Sequence, residues 1–135
     1  MDVEWVMLAD GAQVVGGKLF MLGGAWQTVV ALGGFPHQQH LAIAASIRVP
    51  SDEMAVERIM EIEITAEDPP EQLLRMSARL AVPPSLGLLA GQSPKTLVAA
   101  DLEMAFQHPG AYAILLRIEG TEKYRLPFSV VGGPS

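Results

Sequence analysis

From residue 59 onward the chain alternates. In IMEIEITA (59–66), Met60, Ile62, Ile64 and Ala66 fall on one side, and Glu61, Glu63 and Thr65 on the other. LLRMSARLAV (73–82) sets Leu74, Met76, Ala78, Leu80 and Val82 against Arg75, Ser77 and Arg79. ADLEMAFQ (100–107) repeats the pattern with Leu102, Met104 and Phe106 against Asp101, Glu103 and Gln107. Tyr112, Ile114, Leu116 and Ile118 form a fourth row, and Tyr124, Leu126, Phe128 and Val130 a fifth. A period of two with one apolar side predicts half-buried antiparallel strands.

The rows also predict pairings. Strands at 59–66 and 73–82 flank EDPPEQ, and a hairpin keeping both rows dry sets odd residues opposite odd ones, with Glu61 and Glu63 near Arg75 and Arg79. The last two strands flank Gly120, and the same parity argument predicts a three-residue loop, Gly120–Glu122. Pro127 has no N–H, so its strand is an edge or carries a bulge there.

The first half is less regular. Strands are predicted at 3–9, 18–22, 26–32 and 40–49, with breaks at Asp10-Gly11, Gly16-Gly17, Gly23-Gly24, Gly33-Gly34 and Pro50–Asp52. One helical turn is predicted after Ser51, and a Gly/Pro-rich loop at about 83–95. The whole chain, 1–135, reads as one domain: an all-β, antiparallel β-sandwich of eight or nine short strands, with a closed barrel as the alternative.

Several residues point to a family. WVMLAD (Trp5–Asp10), Gly17-Lys18-Leu19 leading to Gly23-Gly24 and Trp26, Pro109-Gly110-x-Tyr112, the turn at Gly120, and Pro127-Phe128-x-Val130 span nearly the whole chain. Together they resemble a bacterial family of small all-β proteins known only as a domain of unknown function. The resemblance implies the fold and no activity. At Glu67-Asp68-Pro69-Pro70 the chain departs from the Asp-x-Asp-Gly turn the resemblance leads one to expect.

Composition narrows the function classes. The absence of cysteine removes disulfides, thiolate metal sites and thiol nucleophiles. A formal charge of −6 without a basic stripe argues against nucleic acid and anionic membranes as partners. Leu19 to Ile47 contains no Asp, Glu, Lys or Arg, but glycine pairs, Pro36 and Gln38-Gln39 interrupt it, so buried strands are favoured over a membrane span. Asp2 and Glu4 stand where a secretory signal carries basic residues, which predicts a cytoplasmic protein.

Candidate chemistry is sparse. His37 and His40 lie three apart, on opposite faces if the segment is a strand. They and His108 are weak metal candidates, since zinc needs three or four ligands. The acidic turns Asp52-Glu53 and Glu67-Asp68, with Asp101, lack the tight spacing of a calcium loop. No G-x-S-x-G elbow is present, and GAQVVGG (11–17) lacks the lysine–serine ending of a phosphate loop. Glu61 and Glu63 resemble a carboxylate pair, but Arg75 and Arg79 opposite favour structural ion pairs. No catalytic residue, cofactor or enzyme activity is expected.

Apolar residues without an obvious place in the core remain. VMLA, LFML and LAIAASI are apolar on both faces and require a cover. The 83–95 loop, with Leu86, Leu88 and Leu89, is one candidate cover; a second copy of the protein is the other. The reading is therefore a non-catalytic module for protein–protein interaction or self-assembly, a homodimer being one form of it, with Met21, Trp26, Phe35, Leu86, Leu88 and Leu89 as interface residues. The alternative is a small-ligand or metal-binding protein with its site in loops at one end of the sandwich.

Overall fold

A computed structural model describes residues 1–53, 56–81 and 94–133. Among them are nine strands: β1 (Asp2–Val15), β2 (Lys18–Trp26), β3 (Thr28–Ala31), β4 (His37–Arg48), β5 (Arg58–Glu67), β6 (Pro70–Leu80), β7 (Lys95–Phe106), β8 (Gly110–Ile118) and β9 (Thr121–Gly132). A single 3-10 turn at Ser51–Glu53 stands where the helical turn was predicted. The strands form two sheets, ordered β2-β1-β4-β7 and β3-β9-β8-β5-β6. The architecture is thus a β-sandwich and not a closed barrel. Neighbours run antiparallel except β3 and β9, which pair in parallel, Thr28 with Ser129 through Ala31 with Gly132.

The alternating rows meet between the sheets. Ile64, Ile114, Leu116 and Val130 from one sheet pack with Leu8, Leu41, Ile43 and Ile47 from the other, all at 1% exposure or less. At one end Phe106, Tyr112 and Phe128 form an aromatic cluster, with Phe106 edge-on to Tyr112 at 5.1 Å and Tyr112 stacked on Phe128 at 5.6 Å. Tyr112 donates its hydroxyl proton to the carbonyl of His108 at 2.6 Å. This is a tyrosine corner: the first inward side chain after Pro109-Gly110 ties its own strand to the preceding turn.

Turns and bulges act together to keep the rows in phase. The predicted Gly120–Glu122 loop is instead a two-residue turn, Glu119-Gly120, with φ of 51° and 79°. Positive φ at both central positions is the type I′ geometry that matches strand twist. A two-residue turn alone sets even residues opposite odd ones, as at Ile118 with Thr121. Lys123 then bulges, and beyond it Leu116 faces Tyr124 and Ile114 faces Leu126. The β5–β6 hairpin uses the same device: Glu67 pairs with Pro70 across Asp68-Pro69, and Leu73 is the extra residue that brings Ile64 opposite Leu74. Pro127 lies in a strand with two neighbours, but β3 joins only at Ser129, so β9 is still locally an edge where the N–H is missing.

The predicted break at Asp10-Gly11 is absent, and β1 runs through it into a long hairpin with β2. This arm packs on the outer face of the other strands of its sheet. Ala12, Leu19 and Met21 from the arm join Ala9, Ala42, Ala44 and Ala99 in a second, small cluster. The cover that LAIAASI requires is therefore supplied by the β1–β2 arm, and neither cover expected from the sequence is needed at Ala42 and Ala44. The run of alanines fits the need for close approach between arm and sheet. Gly23 belongs to the bend that follows. Its φ is 55°, and a Cβ there would sit 2.3 Å from the Asp10 carboxylate. Next to it Ala25 is bulged out of the β1–β2 ladder, and the chain then crosses to the other sheet at Gln27.

Candidate functional site

The three histidines end up in three separate environments. His37 shares its Nε2 with Gln39 Oε1 at 3.0 Å, one strand pitch away on the same face. His40 points to the opposite side, where its ring bridges two carboxylates of β7: Nδ1 lies 2.9 Å from Glu103 and Nε2 3.3 Å from Asp101. Glu103 foremost, with Asp101 adding to it, raises the His40 pKa above its ordinary value. In its protonated form the ring donates from both nitrogens, one to each carboxylate. His108 stacks on Tyr112 with ring centres 6.1 Å apart, and it is its backbone carbonyl that does the structural work. Among the described residues no three His, Asp or Glu side chains gather as a metal site.

The carboxylates are likewise taken up one by one. Arg75, which stands opposite Glu63 in the hairpin, binds Glu61 on the diagonal. Glu63 takes Arg117 from β8, while Arg79 reaches Glu57 at 3.2 Å. Arg125 holds Glu67. With a guanidinium on each, Glu61 and Glu63 behave as structural ion pairs, not as two carboxyls sharing a proton. On the other sheet Glu4 is the extra residue of a bulge between Val3 and Trp5. Its carboxylate accepts from Lys95 at 3.0 Å, Ser46 Oγ at 3.0 Å and Arg48 at 2.9 Å. Lys95 first, then Ser46 and Arg48, hold the Glu4 carboxyl down to about 2. Ser46 is a buried polar side chain, and this bond is what satisfies it.

A cleft of about 430 Å³ opens between the edges of β6 and β7, lined by Ile43, Met60, Ile62, Met76, Leu80 and Leu97. Only Ser77 and Arg79 bring polar side chains to it. Residues 82–93 join those same two strands and lie outside the described residues, so Leu86, Leu88 and Leu89 are not placed. Among the described residues no acid–base pair converges on the cleft.

The remaining predicted interface residues turn inward. Met21 belongs to the cluster under the arm, and Trp26 and Phe35 are half-buried against the main core. Trp26 keeps its indole N–H enclosed without a hydrogen-bond partner among the described residues. Their neighbours are the exposed ones. Phe20 is 57% exposed and Leu22 76%, and Leu32 is 75% exposed beside Val30 and Val131. Phe20 faces Gln13 and Leu22 faces Gly11 across the hairpin, so both point away from the sheet on the same side as Val15. Gly11 leaves the flank of Leu22 bare. Val30 sits opposite Val131 on the outer face of the β3–β9 pair. Sequence parity carried part of this signal, because Met21 inside requires Phe20 and Leu22 outside. It did not say which of the two rows of LFML was the dry one.

Both apolar strips lie on consecutive strands, β2 and β3, each at the end of its sheet. Charge is absent from this margin between Lys18 and His37. No helix among the described residues is long and apolar enough to cross a membrane. No curated protein matches the chain. Residues 4–131 match the Family of unknown function (DUF6941), and the chain belongs to that family.

Proposed function

We infer that the protein is a non-catalytic β-sandwich module that works by binding protein, either an unlike chain or its own copy, through the margin formed by β2 and β3. The observation that carries this reading is the group Val15, Phe20, Leu22, Val30 and Leu32, large apolar side chains left in water on or beside two strands, β2 and β3, whose one charged residue is Lys18. Clustered exposed apolar surface of this kind marks interaction sites in soluble domains. The ionisable groups support the same reading from the other direction: Glu4, Glu61, Glu63, Glu67 and Glu103 are already paired within the fold, as is His40, and none of these lines the cleft.

The test is a quantitative affinity enrichment from the source cells with three baits: wild type, a Phe20→Ser/Leu22→Ser variant and a Val30→Ser/Leu32→Ser variant. The expected result is a polypeptide, untagged copies of the chain included, that enriches with wild type and is lost with at least one variant. Identical enrichment with all three baits, with every variant folded by circular dichroism, refutes the margin as the binding surface.

A further inference from the structure

We propose that the occupant of the β2 strip is a second copy of this chain, joined to the first by antiparallel pairing of β2 with β2 about a two-fold axis at Phe20. The proposal rests on the binding role inferred for the margin and names its partner.

The four sheet edges differ in how they are protected. β6 carries Pro70, Glu71, Arg75 and Arg79. β7 opens with Lys95 and continues with Asp101 and Glu103. β3 has only four residues. Charge, proline and shortness are the devices by which natural sheets keep an edge from pairing with another chain. β2 has the least of them over Lys18–Leu22: a single lysine at its start, then Leu19, Phe20, Met21 and Leu22 without charge or proline, with hydrogen bonds among the described strands to β1 alone. The bend at Gly23 and the bulged Ala25 end the regular stretch, and Phe20 is the midpoint of what remains.

Charge selects the occupant. Two copies each bearing −6 repel one another, and they can meet only where the seam holds no carboxylate. β2 itself contributes none, and Asp101, which shares a hollow with Phe20, Met21 and Leu22, is held by His40. Centring the axis on Phe20 sets Leu19 opposite Met21 of the other copy and Lys18 opposite Leu22, so the two lysines stand at opposite ends and never face each other. The seam is thus self-complementary, as a two-fold interface must be. Phe20 would face its own counterpart, and two four-stranded sheets would join into one of eight strands. A seam of five residues lies at the small end of specific interfaces, so the dimer is a weak, concentration-dependent one.

Because the chain has no cysteine, a single introduced thiol reports on the geometry. Phe20→Cys should oxidise to a disulfide-linked dimer, while Ile59→Cys, on a different and also exposed strand face, should not. Sedimentation equilibrium of wild type should show a monomer–dimer equilibrium, and Phe20→Lys should weaken it at least tenfold while Leu32→Lys leaves it unchanged. A wild type monomeric up to millimolar concentration overturns the dimer, and the enrichment experiment then decides separately whether the margin binds an unlike protein. A dimer that Leu32→Lys disrupts and Phe20→Lys does not also overturns the proposal, while leaving the margin as the binding surface. Retention of the wild-type circular dichroism spectrum by Phe20→Lys keeps the comparison valid. If that variant unfolds, the two cysteine variants decide alone: cross-linking at both positions, or at neither, overturns the pairing.

Discussion

Replacing Tyr112 by phenylalanine isolates one hydrogen bond. The ring of Tyr112 is 1% exposed and is held by Phe106 and Phe128. Phenylalanine keeps those contacts and removes only the hydroxyl that donates to the His108 carbonyl at 2.6 Å. His108 is only partly buried, so water can reach the carbonyl once it is freed. The loss therefore falls near the net value of a typical bond, about 1–1.5 kcal/mol, and not at the cost of a stranded buried group. At this chain length that corresponds to a fall in Tm of about 3–6 °C. Urea unfolding at pH 7 should show a lower midpoint with an unchanged slope. A second arm uses pH. Burial first, and the nearby Glu71 second, raise the Tyr112 pKa above 10.0. A group whose pKa is raised by folding contributes stability that is complete below its unfolded pKa and is lost as pH climbs through the raised value. Wild type should therefore lose its advantage over Tyr112→Phe as the pH rises beyond 10. Equal midpoints at pH 7, or a gap that does not narrow at alkaline pH, would refute the corner as a stabilising device.

Two further expectations concern the first sheet. Glu4→Gln removes a carboxylate whose pKa folding lowers to about 2; its contribution is present above the ordinary carboxylate range and is lost as pH falls through that value, so thermal melts should separate the two proteins at pH 7 and bring them together near pH 2. Ala44→Leu inserts a side chain where alanine is 0% exposed beneath the arm, with an expected cost of about 1–3 kcal/mol from overpacking, read as a lower urea midpoint and faster proteolysis of the arm.

What could be read in advance depended on whether a strand has a wet face. In β5, β6, β7 and β9 it has one, and Glu61, Glu63, Arg75 and Arg125 label it, so alternation gave those strands and the β5–β6 and β8–β9 hairpins, but not the pairing of β5 with β8 or of β4 with β7. β1, β2 and β4 lack that label. Ala42 and Ala44 are dry for one reason and Ile43 for another, and no local pattern separates the cluster beneath the arm from the main core. The turn at Glu119-Gly120 shows a different limit. A three-residue loop and a two-residue turn followed by a bulge at Lys123 both set even residues opposite even ones, Ile114 against Phe128 in the first and against Leu126 in the second, so parity cannot choose between them. At the margin, LFML announced one dry and one wet row without saying which, and the exposed residues proved to be Phe20 and Leu22, beside the expected Met21. The histidines were separable in advance only as far as strand parity went; the carboxylates that hold His40 lie more than sixty positions along the chain.

The parallel pairing of β3 with β9 closes the larger sheet with the last strand of the chain, a hundred residues after the four it receives. On the ribosome, Thr28–Ala31 must wait, with Val29 and Ala31 unhoused, until Ser129–Gly132 has been made. Contacts so distant in sequence are the slow ones to form. A nascent chain stalled short of Ser129 therefore presents its neighbours with an unfinished sheet.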